Sequence, residues 1–143
     1  MAIPWHLLLL GAGAAQLILV VASLAIPGLL NWKGDLAKLR PLTRQVFWTY
    51  AAYIWVTNLS FGLVSTMAPE LLLDRSSLAG FVCGFIAVYW AARVVIQFGY
   101  FDRTDVPNGR FFVLGETVLV TLFLGLTIVY GGLVARVFGA LGR

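Results

Sequence analysis

A chain of 143 residues is long enough for one domain, and it is 61% hydrophobic and only 11% charged, with a mean hydropathy of +0.93. A water-soluble fold this small cannot hide so much apolar surface, and soluble proteins average about 25% charged residues, so lipid is the solvent for most of the chain. The net charge of +4 comes without a basic cluster interleaved with exposed aromatics. It is therefore assigned to topology and lipid contact, and nucleic-acid binding is set aside.

Four apolar runs reach the ~20 residues that cross a bilayer core. They cover roughly 5–30, 44–67, 78–100 and 111–134. This predicts an all-α integral membrane protein with four transmembrane helices in one bundle, residues 1–143 forming a single membrane domain. The first run has no basic n-region and exceeds a signal-peptide core, although Ser23-Leu24-Ala25 weakly resembles a cleavage site; it is read as a retained helix. Pro27-Gly28 is expected to bend or end its last turns.

The segment NWKGDLAKLRPL follows. Trp32, Leu36 and Leu39 recur at helical spacing, with Lys33, Lys38 and Arg40 around them. A short interfacial helix between spans 1 and 2 buries that stripe and offers its basic residues to anionic lipid. A solvated loop or a partner-docking surface are the other readings of the same residues. Next, Pro41 and Thr43 precede the second span, with Thr43 a candidate N-cap. Met67-Ala68-Pro69 closes it, Ser76 and Ser77 are candidate caps for the third span, and Pro107-Asn108-Gly109 makes a turn before the fourth. Trp5, Trp32, Trp48 and Tyr100 lie near span ends, as expected of headgroup anchors.

Four spans put both termini on one side with Arg75, Arg136 and Arg143. The other side carries Lys33, Lys38, Arg40, Arg44, Arg103 and Arg110, and Arg93 remains inside the membrane. The excess of positive charge places loops 31–43 and 101–110 in the cytoplasm and the termini in the periplasm of a multi-pass protein. The bacterial inner membrane is the compartment suggested by the chain's brevity.

Arg93 is the most informative residue. It lies seven residues, roughly 10 Å, before Tyr100, while Glu116 lies roughly 9 Å into the fourth span from Arg110. Spans 3 and 4 form a hairpin with a short loop, so an Arg93–Glu116 ion pair at matching depth is expected. Tyr89, Arg93 and Gln97 share one helix face, and Tyr50 enters the second span to a similar depth. Thr57 and Asn58 lie near the bilayer midplane, Gln16 lies midway along the first span, and Glu116, Val120, Phe123, Thr127 and Tyr130 line one face of the fourth. Two assemblies fit these groups. In one they satisfy one another between packed helices; in the other Arg93, Glu116, Gln97, Tyr89 and Tyr50 surround a cytoplasm-facing cavity for an anionic or lipid-like ligand.

Catalytic chemistry is poorly provided for. His6 is the single histidine, so no histidine pair ligates haem and no histidine-box metal site exists; no metal and no cofactor is expected. His6 with Met67 is a conceivable ligand pair, and Ser65 or Ser76 with His6 a conceivable nucleophile pair, but no G-x-S-x-G motif supports the latter. Asp102, Asp105 and Asn108 lack the spacing of an EF-hand loop and are read as a turn. Cys83 is a packing residue. Gly80-x-x-x-Gly84, Gly11-x-x-x-Ala15 and Gly131-Gly132 allow close helix approach.

The leading expectation is a small, non-catalytic, helix-packing subunit of a larger membrane complex or homo-oligomer, its partners being membrane lipids and other membrane subunits or its own copies. The alternative is a protein that binds or transports a lipid-like or anionic small molecule at the Arg93–Glu116 locus. An intramembrane enzyme or redox protein is the third class.

Overall fold

Pro27 shows how the chain punctuates its helices. A proline inside a helix clashes with the carbonyl four residues earlier, here that of Ser23, and removes an N–H. In the computed structural model, which describes residues 4–101 and 109–141, α1 accordingly runs Trp5–Ser23 and stops there. The Ser23 hydroxyl donates to the Val20 carbonyl at 2.7 Å in that last turn. Proline then occupies the first turn of a new short helix, α2 (Ile26–Leu29), where no N–H is needed. The helix expected over 5–30 is therefore two helices, broken three residues ahead of the proline.

The remaining elements are α3 (Trp32–Leu36), α4 (Pro41–Met67), α5 (Pro69–Leu73), α6 (Ser77–Gly99) and α7 (Arg110–Leu141), so all regular structure among the described residues is helical. Three of these helices, α1, α6 and α7, are long and apolar enough to cross a membrane. At 27 residues α4 has the length, roughly 40 Å, but its hydroxyls, Arg44, Gln45 and Asn58 make it less apolar than the other three. It begins at Pro41, with Arg40 at the N-cap, so Thr43 lies inside the first turn and caps nothing. Proline's fixed φ favours that first helical position. Ser76, not Ser77, caps α6, accepting from the Ala79 N–H at 3.2 Å. The stretch 68–77, expected as a loop, contains α5, started by Pro69. The turn at 107–109 and the Asp102–Asp105–Asn108 stretch lie outside the described residues, apart from Gly109.

The chain divides into two units, Gly13–Ala68 and Met1–Ala12 with Pro69–Arg143. In the first, α1 and α4 run antiparallel at backbone contact. A Cβ on Gly13 would stand 2.6 Å from Thr66 Cγ2 and 3.1 Å from the Thr66 nitrogen, and one on Gly62 would stand 2.7 Å from Leu17. Further along, the Trp55 indole N–H donates to the Val20 carbonyl at 3.1 Å. Gly11, by contrast, has open space at its Cβ position. Close approach thus uses Gly13 and Gly62, and the Gly11-x-x-x-Ala15 pattern does not mark it. A short helix does form in the segment after the first run, α3, with Leu36 buried, while Leu39 lies beyond its end and is exposed. Trp32 packs into a triangle of rings with Phe47 at 4.9 Å and Trp48 at 5.9 Å.

The second unit is built on the α6–α7 hairpin. Ala79, Cys83, Ile86 and Trp90 form one buried stripe, and Phe123, Leu126, Tyr130, Leu133 and Val137 form the other, both at three–four spacing. A Cβ on Gly80 would sit 2.8 Å from the Phe138 ring and 3.0 Å from Val137, whereas Gly84 has an ordinary 3.7 Å to Val134. This packing carries α7 well past the expected end at 134, to Leu141, and puts Arg136 inside the helix. Trp5 lies across Gly132, where a Cβ would be 2.7 Å from its indole. The thiol of Cys83 is buried and contacts the Leu72 carbonyl of α5 at 3.8 Å, a packing position.

Candidate functional site

The hairpin's register decides where its polar groups meet. Trp90 stacked on Phe123 at 5.1 Å and Gln97 beside Glu116 give one antiparallel alignment over this half of the hairpin. That alignment is shifted by one turn from the one obtained by counting inward from Tyr100 and Arg110. Glu116 consequently meets Gln97, whose Nε2 donates to Glu116 Oε1 at 3.1 Å. Arg93 faces the level of Val120.

The Arg93 side chain does not reach toward the Gly99 end of α6. Helical side chains lean toward the N-terminus of their own helix, which for α6 is the opposite direction. Its guanidinium carbon lies 5.7 Å from the centroid of Phe123, within the ~6 Å of a cation–π contact. Trp90 covers Phe123 as well, its ring plane inclined 24°, and Tyr89 packs edge-on against Trp90 at 5.2 Å. Among the described residues, Lys38 pairs with Asp35 at 3.2 Å and the His6 imidazole lies 3.7 Å from the Glu70 carboxylate; neither contact involves Arg93. The expected Arg93–Glu116 pair is replaced by a cation on an aromatic stack and, one turn away, an amide on a carboxylate.

The energies differ accordingly. An arginine placed in hydrocarbon costs at least about 2.5–3.5 kcal/mol. A desolvated cation–π contact returns about 2 kcal/mol and leaves the guanidinium N–H donors without acceptors. Glu116, in contrast, accepts a hydrogen bond to a charged group, of about 1.5–3 kcal/mol. Arginine is the group whose chemistry is incomplete.

The other polar and lipid-surface positions lie in the Gly13–Ala68 unit. Gln16 is fully buried and partnered. Thr57 donates to the Tyr53 carbonyl at 2.8 Å. Asn58 has its Oδ1 enclosed with no hydrogen-bond partner among the described residues. Tyr50 is 63% exposed. Lys33, Lys38 and Arg40 are exposed, Lys38 holding Asp35, while Trp32 is part of the ring triangle. Of the conceivable catalytic partners, His6 faces Glu70, Ser76 is used as a cap, Ser65 is fully buried, and Met67 is exposed. Among the described residues no three His, Cys, Asp or Glu side chains converge as metal ligands do.

Trp90 is the site residue that sequence reasoning missed, and Phe123, though placed on the Glu116 face of the fourth span, was not connected with Arg93. Phe123 stands seven residues after Glu116, on the same face, and that spacing was the available signal. Compared with known proteins, the chain matches no family model, no curated protein and no solved structure.

Proposed function

We propose that the protein is a four-span, non-catalytic subunit that packs against other membrane chains or against copies of itself. The observation that carries this is a set of outward glycines. Gly11 on α1 and Gly125 and Gly139 on α7 are exposed, and a Cβ at any of them would meet nothing within 4 Å. Glycine in a helix costs about 1 kcal/mol relative to alanine, and no contact among the described residues offsets it at these positions. A second helix approaching at backbone distance does.

The fourth span in this reading is α4. Four of its hydroxyls are satisfied within the helix: Thr49, Thr57, Ser60 and Thr66 each donate to the carbonyl four residues back at 2.8–2.9 Å. Hydroxyls bonded in this way present little polarity to lipid. The positive-inside bias then sets loops 31–43 and 101–110 toward the cytoplasm and the termini toward the periplasm, in a bacterial inner membrane.

The test is association in mild detergent. Wild-type protein is expected to migrate as an oligomer or to carry crosslinked membrane partners. Gly125→Leu is expected to lose them while its helical circular dichroism stays the same. A wild-type protein that is a stable monomer with no crosslinked neighbour rules the proposal out.

A further inference from the structure

Arg93 holds a cation within the spanning length of α6, and among the described residues its guanidinium makes a cation–π contact but no hydrogen bond or ion pair. Its planar fork of N–H donors matches the oxygens of a carboxylate or phosphate. The carboxylate nearest by register, Glu116, is engaged by Gln97 one turn toward the Gly99 end of α6. Arg93 is part-exposed, and its neighbours Ala92 and Ile96 are exposed, so the fork is approached sideways, through the bilayer.

We propose that Arg93 is a binding site for the oxyanion of an amphiphile, a carboxylate or phosphate carried on a hydrocarbon chain. A free inorganic anion would have to shed its hydration to reach this depth, whereas an amphiphile brings its own apolar anchor. The Phe123 ring, itself stacked on Trp90, covers one side of the guanidinium and holds it at a fixed height on the hairpin. The free edge of the fork then takes the oxyanion, while the ligand's chain runs along the apolar outer surface of α6, where Val88 and Val95 are exposed. This inference is independent of whether the protein packs into a larger assembly.

The experiment is native mass spectrometry of the purified full chain incubated separately with oleate, methyl oleate and phosphatidylglycerol. Wild-type protein is expected to retain one oleate or one phosphatidylglycerol per chain and at least tenfold less methyl oleate, which lacks the oxyanion. Retention of oleate alone assigns a free carboxylate as the ligand; retention of phosphatidylglycerol assigns a lipid phosphate. Arg93→Met is expected to reduce retention at least tenfold while the protein stays folded with its helical circular dichroism, and Arg93→Lys to restore part of it. Equal retention of oleate and its ester, or no retention of either acid by wild-type protein, overturns the proposal. So does undiminished retention by a folded Arg93→Met protein. If that variant does not fold, the oleate and ester arms on wild-type protein decide alone.

Discussion

The Oδ1 of Asn58 is enclosed on the face of α4 that also carries Phe61, Gly62 and Ser65, and it accepts no hydrogen bond among the described residues. An unsatisfied buried acceptor costs about 1–3 kcal/mol, and an apolar group of similar shape removes that cost. Asn58→Leu is therefore expected to raise resistance to denaturant unfolding by about 1–2 kcal/mol; a loss of stability shows that the amide has a partner in the folded protein. Phe123 is the opposite case, since one ring serves both Trp90 and Arg93. Phe123→Leu is expected to destabilise by about 1–3 kcal/mol, the sum of an aromatic pair and a cation–π contact. A double-mutant cycle with Arg93→Met should return a coupling of about 0.5–2 kcal/mol, and zero coupling removes the cation–π contact as an energetic term. The charged residues and their helix faces were legible from spacing alone. Their partners were not, because depth counted from helix ends ignores both the register imposed by Trp90 on Phe123 and the lean of a long side chain along its helix.

Helices as elements were read well wherever length and apolar content decided the matter. Proline and serine marked most of the ends, as Pro27, Pro41, Pro69 and Ser76 show. What periodicity does not carry is which face of a helix is inside. Small residues four apart make Gly11 and Ala15 neighbours, yet the neighbouring helix touches Gly13 instead. The two glycines therefore separate experimentally. Gly13→Val has backbone as well as side chain in its way and is expected to cost at least about 1–3 kcal/mol. Gly11→Ala in the isolated chain is expected to be neutral or to stabilise by up to about 1 kcal/mol, through helix propensity alone. Equal effects of the two substitutions in detergent unfolding would show that α1 and α4 do not meet at Gly13. The extension of α7 beyond 134 was equally invisible, because only the contact of Val137 and Phe138 with Gly80 makes those last turns part of the packed hairpin.

For the whole molecule, the number of membrane crossings rests on α4. Cys83 is the chain's single cysteine and is buried, so a Cys83→Ala background accepts one introduced cysteine at a time. Lys38 and Asp74 are both exposed and lie beyond opposite ends of α4. With four spans, Lys38→Cys is expected to react with an impermeant maleimide only from the cytoplasmic side and Asp74→Cys only from the periplasmic side. Labelling of both from one side leaves three crossings.

The carbonyl-bonded hydroxyls of α4 have a consequence for how the chain is made. A translocon reads a segment as it emerges, and Thr, Asn, Gln and Arg count against entry into lipid before any helix exists to satisfy them. Taken alone, α4 is a poor candidate for spontaneous membrane entry; with Gly13 and Leu17 of α1 already in place, its Gly62 face has somewhere to go. If α4 is the fourth span, biogenesis is expected to be ordered, with α1 waiting at the channel for α4. In a glycosylation-mapping insertion assay, α4 placed in a neutral carrier should insert inefficiently, and the same segment preceded by residues 5–40 should insert well.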